Sequence, residues 1–203
     1  MDFLSTHFLL LEEGYTKEYK KMLFLSGKLL DFGCGRKPYK HLFSFDEYIG
    51  LDIVESGHNH EDEEIDVYYD GTKIPFDRNY FDCVFASEVF EHVFNIDEVL
   101  KEINRVCKQN GHLLITVPFV WDEHEIPYDF ERYTSYGIKH LLEKHGFEIV
   151  NLMKTTNYIE TIFQMLCAYI SQHILRKKIV QILLNPLLIS PIMILGIFKK
   201  NIS

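Results

Sequence analysis

Six apolar runs of strand length constrain the fold of this chain more than any other feature. The runs are "KLLDF", "YIGLDI", "IDVYYD", "FDCVFAS", "HLLITVPF" and "FEIVNLM". Their hydrophobicity is continuous rather than alternating, which is typical of strands buried on both faces in a parallel sheet. Helix-like stretches separate several of these runs. This order of elements predicts a doubly wound α/β domain.

Two helices can be located within this pattern. Asn95 with Glu98 three residues later has the form of a capping box, and apolar residues then recur at i, i+3 and i+4. We expect Asn110-Gly111 to end this helix. A second helix is expected to begin at residues 134–135 and to end at Gly146.

Charge and cysteine usage exclude two classes of protein. The 203-residue chain carries a formal net charge of -9, which argues against a phosphate backbone as its main partner. The four cysteines are scattered with no CxxC pair, which indicates a reducing compartment and no disulfide framework. The N-terminus lacks the basic region of a secretory signal. We therefore expect a cytoplasmic protein.

The stretch "LLDFGCG" ends the first predicted strand in a glycine-rich break. Ligands of open parallel sheets bind beyond the carboxyl ends of the strands, and glycines there let a ligand approach the backbone closely. A dinucleotide fingerprint would need a third glycine where this chain has Pro38. The pattern therefore disfavours a nicotinamide-dependent oxidoreductase.

Acidic residues end the next two predicted strands. Asp52 lies 17 residues after Gly35 and can accept both hydroxyls of a ribose, although a solvated acid at a strand end is the alternative. Asp70 closes the third strand, where it could meet an adenine edge. Asp70-Gly71 is equally typical of a simple turn.

Together, "LDFGCG", "GLDI", "IPF" and "FDCVFASEVFEHV" resemble the class I S-adenosylmethionine-dependent methyltransferases, of the type 11-like kind, over about residues 28–150. The resemblance implies a seven-stranded sheet in the order 3-2-1-4-5-7-6 with an antiparallel last strand. It also implies S-adenosylmethionine as cofactor. The residues it implicates in cofactor binding are Asp31, Gly33, Cys34 and Gly35 for the methionine part, Asp52 and Ile53 for the ribose and adenine, Asp70 and Gly71 for the adenine, and Ser87 beside the sulfonium.

Two departures from the family pattern stand out. Pro38 replaces a further small residue, and "ESGHNHEDEEID" is inserted between the second and third strands. The insertion contains His58, His60 and several acids, but a flexible acidic loop seldom brings metal ligands together in space. We interpret it as solvated and expect no metal site.

The segment after the fifth strand, "VPFVWDEHEIPYDFERYTSYGIKHL", is predicted to form a substrate lid. A similar "HE…PYD…RYT" stretch occurs in a subset of these methyltransferases that is linked to surface-glycan biosynthesis. The alternative is that the loop only packs over the sheet, with Arg132 paired to Asp129 or Glu131. The residues predicted to bind the acceptor are Trp121, Tyr128, Arg132 and Tyr133.

Two histidines are candidates for catalysis. A sulfonium is already an activated methyl donor, so a general base is needed only where the acceptor is a hydroxyl. His124 in the lid is the preferred base. His92, in "FEHV", could act as a base or orient the loop, or it could simply be a histidine at a helix start.

We predict one methyltransferase domain over residues 1–203. It comprises a helical lead (1–27), the cofactor-binding core (28–150) and a tail (151–203) with a helix and then "IVQILLNPLLISPIMILGIF". Either "PIMILGIFKK" (191–200) forms the last, antiparallel strand, or residues 176–200 dock on a membrane through the apolar run and its basic flanks.

The predicted function is methyl transfer from S-adenosylmethionine to a small-molecule or glycan-type acceptor at oxygen. The alternative from another class is a non-catalytic binding or scaffold protein that keeps the methyltransferase fold and associates with a membrane.

Overall fold

Five parallel strands build the sheet in the computed structural model, which describes residues 26–54 and 63–170. Their order across the sheet is β3-β2-β1-β4-β5, and each neighbouring pair is parallel. The strands are β1 (Lys28–Phe32), β2 (Glu47–Ile53), β3 (Val67–Tyr69), β4 (Phe81–Ser87) and β5 (Cys107–Thr116). The helices are α1 (Ile96–Val106), α2 (Ser135–Lys144) and α3 (Tyr158–Tyr169), with 3₁₀ turns at Lys40–Leu42 and Phe90–His92.

The observed order confirms the doubly wound prediction for the first five strands. The predicted sixth strand is not formed, because residues 147–153 belong to no strand. In the predicted order 3-2-1-4-5-7-6, the sixth strand lies at the edge of the sheet and pairs only with the seventh strand. The seventh strand was predicted within residues 191–200. Those residues, like the helical lead and the tail beyond residue 170, lie outside the described part of the chain.

Of the described residues, 26–54 and 63–152 form one compact unit, and 153–170 belong to a second. The second unit contains α3, whose first turn is capped by the Asn157 side chain and Glu160 in a complete capping box. Across the described ranges, no helix combines the length and apolarity that crossing a bilayer requires. The prediction of a single domain over the whole chain stays a prediction.

The sheet is buried on both faces, which explains the continuous apolar runs in the sequence. Leu30 and Phe32 of β1 face the larger core, which includes the buried residues of α1. Leu29, on the opposite face of β1, packs in a second cluster with Cys83 and Phe85 of β4. Successive side chains of a strand point to opposite faces, so a strand covered on both sides is apolar at most positions.

Helix α1 begins where predicted but is capped differently. Asn95 is the N-cap residue, yet its side chain accepts no backbone hydrogen bond. Instead, its amide donates to the Gly71 carbonyl (3.2 Å) and to the Glu98 carboxylate (3.0 Å). The predicted capping box is therefore wrong, because the Asn95 amide is used to join α1 to the turn after β3.

Helix α1 also ends earlier than predicted. Its last residue is Val106, and β5 begins at Cys107. The pairing of β4 with β5 then jumps from Phe81–Cys107 to Cys83–His112. Asn110 has a positive φ of 65°, so Asn110-Gly111 forms this irregularity within β5 rather than a helix stop.

Helix α2 matches its prediction closely. The Thr134 side chain accepts a hydrogen bond from the Gly137 N–H at 3.0 Å, and the helix runs from Ser135 to Lys144. Gly146 follows in the left-handed region with a φ of 84°. The helix buries Ile138 and Leu142 against the larger core.

Candidate functional site

The glycine loop after β1 is anchored to the end of β2. The Gly33 N–H donates to the Leu51 carbonyl at 2.8 Å, and Gly33 has a φ of 70°. A Cβ at this position would lie 2.5 Å from a methyl carbon of Val89. Both the backbone conformation and the contact with Val89 therefore require glycine here.

The Asp52 carboxylate closes this loop. Its Oδ2 accepts a hydrogen bond from the Gly35 N–H at 2.9 Å, and its Oδ1 accepts from the Ile53 N–H at 2.8 Å. Asp52 is only 8% exposed. The structure thus brings together the predicted cofactor residues of the first two strands, and it gives Asp52 a structural part in the loop that sequence reasoning missed.

Asp31 lies buried beside Asp52 at the end of β1. The Tyr48 hydroxyl donates to its carboxylate at 2.5 Å. Burial raises the pKa of Asp31 to about 7, and the nearby negative charge of Asp52 adds to that rise. Tyr48 was not predicted as a site residue, because nothing in the local pattern of β2 marks a side chain that will meet β1.

A buried lysine lies close to the glycine loop. Lys37 is 7% exposed, and its ammonium lies 2.6 Å from the Asp66 carboxylate, which also accepts the Gly50 N–H at 2.6 Å. A Cβ on Gly50 would lie 2.3 Å from the Lys37 stem and 2.7 Å from the Cys34 sulfur. Burial raises the pKa of the Cys34 thiol well above its usual range. Cys34 is therefore a packed, protonated thiol rather than a nucleophile.

The third-strand residues form a turn. The exposed Asp70 carboxylate accepts hydrogen bonds from the Thr72 hydroxyl (2.6 Å), the Thr72 N–H (2.9 Å) and the Lys73 N–H (3.2 Å). These bonds lower the pKa of Asp70 to about 2. A Cβ on Gly71 would lie 3.2 Å from the Ile53 side chain. These contacts are those of a simple turn, which was the alternative for Asp70-Gly71. Ile53 and Gly71, two of the predicted cofactor residues, nevertheless lie next to each other.

Ser87 ends β4 next to the end of β5. Its hydroxyl lies 2.8 Å from that of Thr116. Because parallel strands place their carboxyl ends on one edge of the sheet, Ser87 shares this edge with the ends of β1 and β2. The predicted cofactor residues therefore lie along one edge, although only some of them touch each other.

The segment after β5 lies against the turn that follows β4. The Glu91 carbonyl accepts hydrogen bonds from the N–H groups of Phe130 (2.8 Å) and Glu131 (3.2 Å). The His92 Nδ1 lies 2.6 Å from the Tyr128 carbonyl. The rings of His92 and His124 meet edge to face with centroids 4.7 Å apart. The two predicted catalytic histidines are thus brought together across 32 residues of chain.

Arg132 is held within its own segment. Its guanidinium binds the Asp129 carboxylate through two nitrogens, at 2.6 and 2.7 Å, and holds the pKa of that carboxyl well below its usual range. It also donates to the carbonyls of Glu131 (2.8 Å) and Asp122 (3.3 Å). This is the pairing of Arg132 with Asp129 that we expected if the loop only packs over the sheet. A part for Arg132 in acceptor binding stays a prediction.

The remaining predicted acceptor residues belong to the same segment. The Tyr133 hydroxyl donates to the Phe90 carbonyl at 3.3 Å, and Trp121 and Tyr128 are half-buried. All three belong to the segment whose backbone is hydrogen-bonded to the turn after β4. Acceptor binding by these residues stays a prediction.

Glu91 was missed by sequence reasoning. Its side chain is fully buried, and neither carboxylate oxygen has a hydrogen-bond partner among the described residues. Burial raises the pKa of Glu91 to about 8, and the neighbouring charge of Glu88 contributes. The only signal in the sequence was an acid directly before His92 in "FEHV".

The strand order and the glycine loop at its carboxyl edge define a Rossmann-like α/β fold. A model of the Methyltransferase domain family matches residues 8–152. The chain belongs to this family. No curated protein sequence matches it significantly.

Solved structures of other methyltransferases share this fold. One is phosphoethanolamine N-methyltransferase 2 from Haemonchus contortus in complex with S-adenosylmethionine (TM-score 0.52, 19% identity, 83% of this chain and 43% of that one). Another is an S-adenosylmethionine-dependent methyltransferase from Mesorhizobium loti (TM-score 0.50, 14% identity, 68% of this chain and 84% of that one).

The YcgJ protein from Bacillus subtilis is similar at a TM-score of 0.50 and 17% identity, over 63% of this chain and 65% of that one. The chain thus spans less than two thirds of the Bacillus protein and less than half of the nematode enzyme. At these identities the likeness is in the fold.

The glycine loop generates a first prediction. Gly33→Ala should lower the free energy of unfolding by more than about 2 kcal/mol, because a left-handed alanine costs about 1–2 kcal/mol and the new methyl also meets Val89. Gly35→Ala is the matched control: its φ is 46°, but the nearest atom to its Cβ lies 3.8 Å away. Urea unfolding measures both. Equal losses would show that the Val89 contact does not matter.

Proposed function

We propose that this protein transfers a methyl group from S-adenosylmethionine to a hydroxyl of a small-molecule or glycan-type acceptor. The observation that carries the proposal is the glycine loop closed by Asp52 beside the buried Asp31. Membership of the Methyltransferase domain family supports it. The bound S-adenosylmethionine of the nematode structure with the same fold supports the choice of cofactor.

The cofactor lies along the carboxyl edge of β1, β2 and β4 in this proposal. Asp31 pairs with the ammonium of the methionine part, which the loop at residues 33–35 cradles. Asp52 and Ile53 hold the ribose and adenine, with Asp70-Gly71 near the adenine and Ser87 near the sulfonium. The cofactor, once bound, supplies an activated methyl group.

The acceptor is proposed to meet the segment of residues 117–134. Trp121, Tyr128, Arg132 and Tyr133 offer aromatic faces and a guanidinium, which suit a polar ring such as a sugar. The similarity of "HE…PYD…RYT" to methyltransferases linked to surface glycans supports a glycan-type acceptor. His124, with His92 beside it, acts on the acceptor hydroxyl.

The cellular setting follows from the same proposal. A cytoplasmic enzyme that modifies a lipid-linked glycan would gain from docking through the basic-flanked residues 176–200. Those residues lie outside the described part of the chain.

The cofactor assignment is tested by calorimetric titration with S-adenosylmethionine. Asp52→Asn should weaken binding at least about tenfold, because one charge-assisted ribose hydrogen bond contributes about 1.5–3 kcal/mol. Glu47→Gln is the control, since Glu47 lies at the opposite end of the same strand and pairs with Lys28. Thermal unfolding must show both variants folded. Unchanged affinity in folded Asp52→Asn would remove Asp52 from the cofactor site.

The buried Asp31 predicts a pH dependence of cofactor binding. Its pKa of about 7 in the free protein means that below pH 7 the carboxyl must lose a proton before it can pair with the cofactor ammonium. The dissociation constant should therefore rise as pH falls from 7.5 to 5.5, approaching about tenfold per unit well below the pKa. Asp31→Asn should bind more weakly at pH 7.5 and flatten this slope. An equal slope in the variant would contradict the prediction.

The acceptor side is tested by transfer of a labelled methyl group to a panel of hydroxyl acceptors. With the best acceptor, His124→Ala should reduce turnover by about 10²-fold or more while the affinity for S-adenosylmethionine stays unchanged. His140→Ala, at an exposed position on α2, is the control. Parallel losses of turnover and cofactor affinity would place His124 at the cofactor instead.

A further inference from the structure

Three potential metal ligands converge beside the proposed acceptor site. One ligand atom from each of Glu91, His92 and His124 can be chosen so that all lie within 4.8 Å of one another. Two ligands bound to one zinc-like ion at about 2.1 Å are themselves about 3–4 Å apart. The His92 Nε2 and a Glu91 carboxylate oxygen, at 3.9 Å, already have such a separation. Small rotations of these side chains would bring the remaining ligand atoms to similar separations.

The Glu91 carboxylate needs a partner that the described residues do not supply. It is 0% exposed, and neither of its oxygens accepts a hydrogen bond from the described chain. Buried carboxylates in proteins are normally paired or coordinate a metal. Two nitrogens of the Arg132 guanidinium bind Asp129, and its buried Nε likewise has no hydrogen-bond partner among the described residues. A cation between Glu91 and the histidines would satisfy the carboxylate.

Both histidines present the tautomer that a metal requires. A carbonyl can only accept, so the His92 Nδ1 donates its N–H to the Tyr128 carbonyl at 2.6 Å, and Nε2 is the nitrogen available to a metal. The His124 Nδ1 lies 3.1 Å from the Asp122 carbonyl and 3.3 Å from the Asp129 carboxylate. Metal-binding histidines almost always donate their other N–H to such a carbonyl or carboxylate.

We infer that Glu91, His92 and His124 bind a divalent transition-metal ion. Two imidazoles and one carboxylate suit zinc, iron(II) or cobalt(II), whereas magnesium and calcium prefer an all-oxygen shell. No metal site was expected from the sequence, where the candidate ligands were the histidines and acids of "GHNHEDEEID". The inferred site uses a different set of residues, which comes together only when the segment after β5 folds onto the turn after β4.

Three protein ligands leave a coordination position open. If the proposed methyltransferase function holds, that position takes the acceptor hydroxyl, and both histidines act as ligands rather than as bases. Coordination lowers the pKa of the hydroxyl, so its proton leaves to water. The oxygen then forms a bond to the methyl carbon as the sulfonium S–CH₃ bond breaks, which yields a methyl ether and S-adenosylhomocysteine. The metal site itself does not depend on this use.

The test is cobalt(II) binding to the full chain after treatment with a chelator, without S-adenosylmethionine. The wild type should bind one equivalent and develop visible d–d absorption bands. Glu91→Gln and His124→Asn should each weaken cobalt binding at least about tenfold and change the bands. Glu91→Gln keeps the size of the side chain and cannot carry a charge at this buried position, so it should fold, as near-ultraviolet circular dichroism will check.

Two controls separate this site from other histidines. His140→Ala and the double variant His58→Ala/His60→Ala should keep both the bands and the affinity. Loss of binding in the double variant would place the ion in the insertion and overturn the inference. The absence of cobalt and zinc binding by the folded wild type at millimolar metal would also overturn it, and would leave a His92–Glu91 ion pair as the explanation. A separate cofactor titration tests the proposed function independently.

Discussion

The hydrogen bond from the Gly35 N–H to the Asp52 carboxylate is the contact on which the site depends. It joins the break after β1 to the end of β2, and the same carboxylate accepts the Ile53 N–H. One buried acid thus fixes two backbone segments at the edge of the sheet. A half-buried backbone N–H left without a partner would be destabilising. The shape of the loop and its stability therefore depend on the same carboxylate.

The parallel sheet could be predicted because its signal is local, whereas the strand order was implied only by the resemblance to methyltransferases. Each of β1 to β5 overlaps one of the predicted apolar runs, which are typical of strands buried on both faces. The sixth run, "FEIVNLM", has the same composition but belongs to no strand in the structure. A strand at the edge of a sheet forms only if its neighbouring strand is in place. The composition of an apolar run does not show whether that neighbour is present.

The site was only partly predictable, because its side-chain pairs are distant in sequence. Tyr48 meets Asp31 across 17 residues, and Lys37 meets Asp66 across 29. A spacing pattern marks which backbone loops share an edge, but it does not mark which side chains fill the space beneath them. Glu91 is the extreme case, since only the three-dimensional fold shows that its carboxylate is enclosed.

Because Cys34 is buried, its reactivity can report on the motion of the glycine loop in solution. Its sulfur lies beneath the glycine loop, close to Gly50, and its thiol is held in the protonated state. A thiol reagent can reach that sulfur only when the loop lifts away from the sheet. The rate of Cys34 labelling therefore measures local opening of the glycine loop, and any ligand that holds the loop closed will slow it.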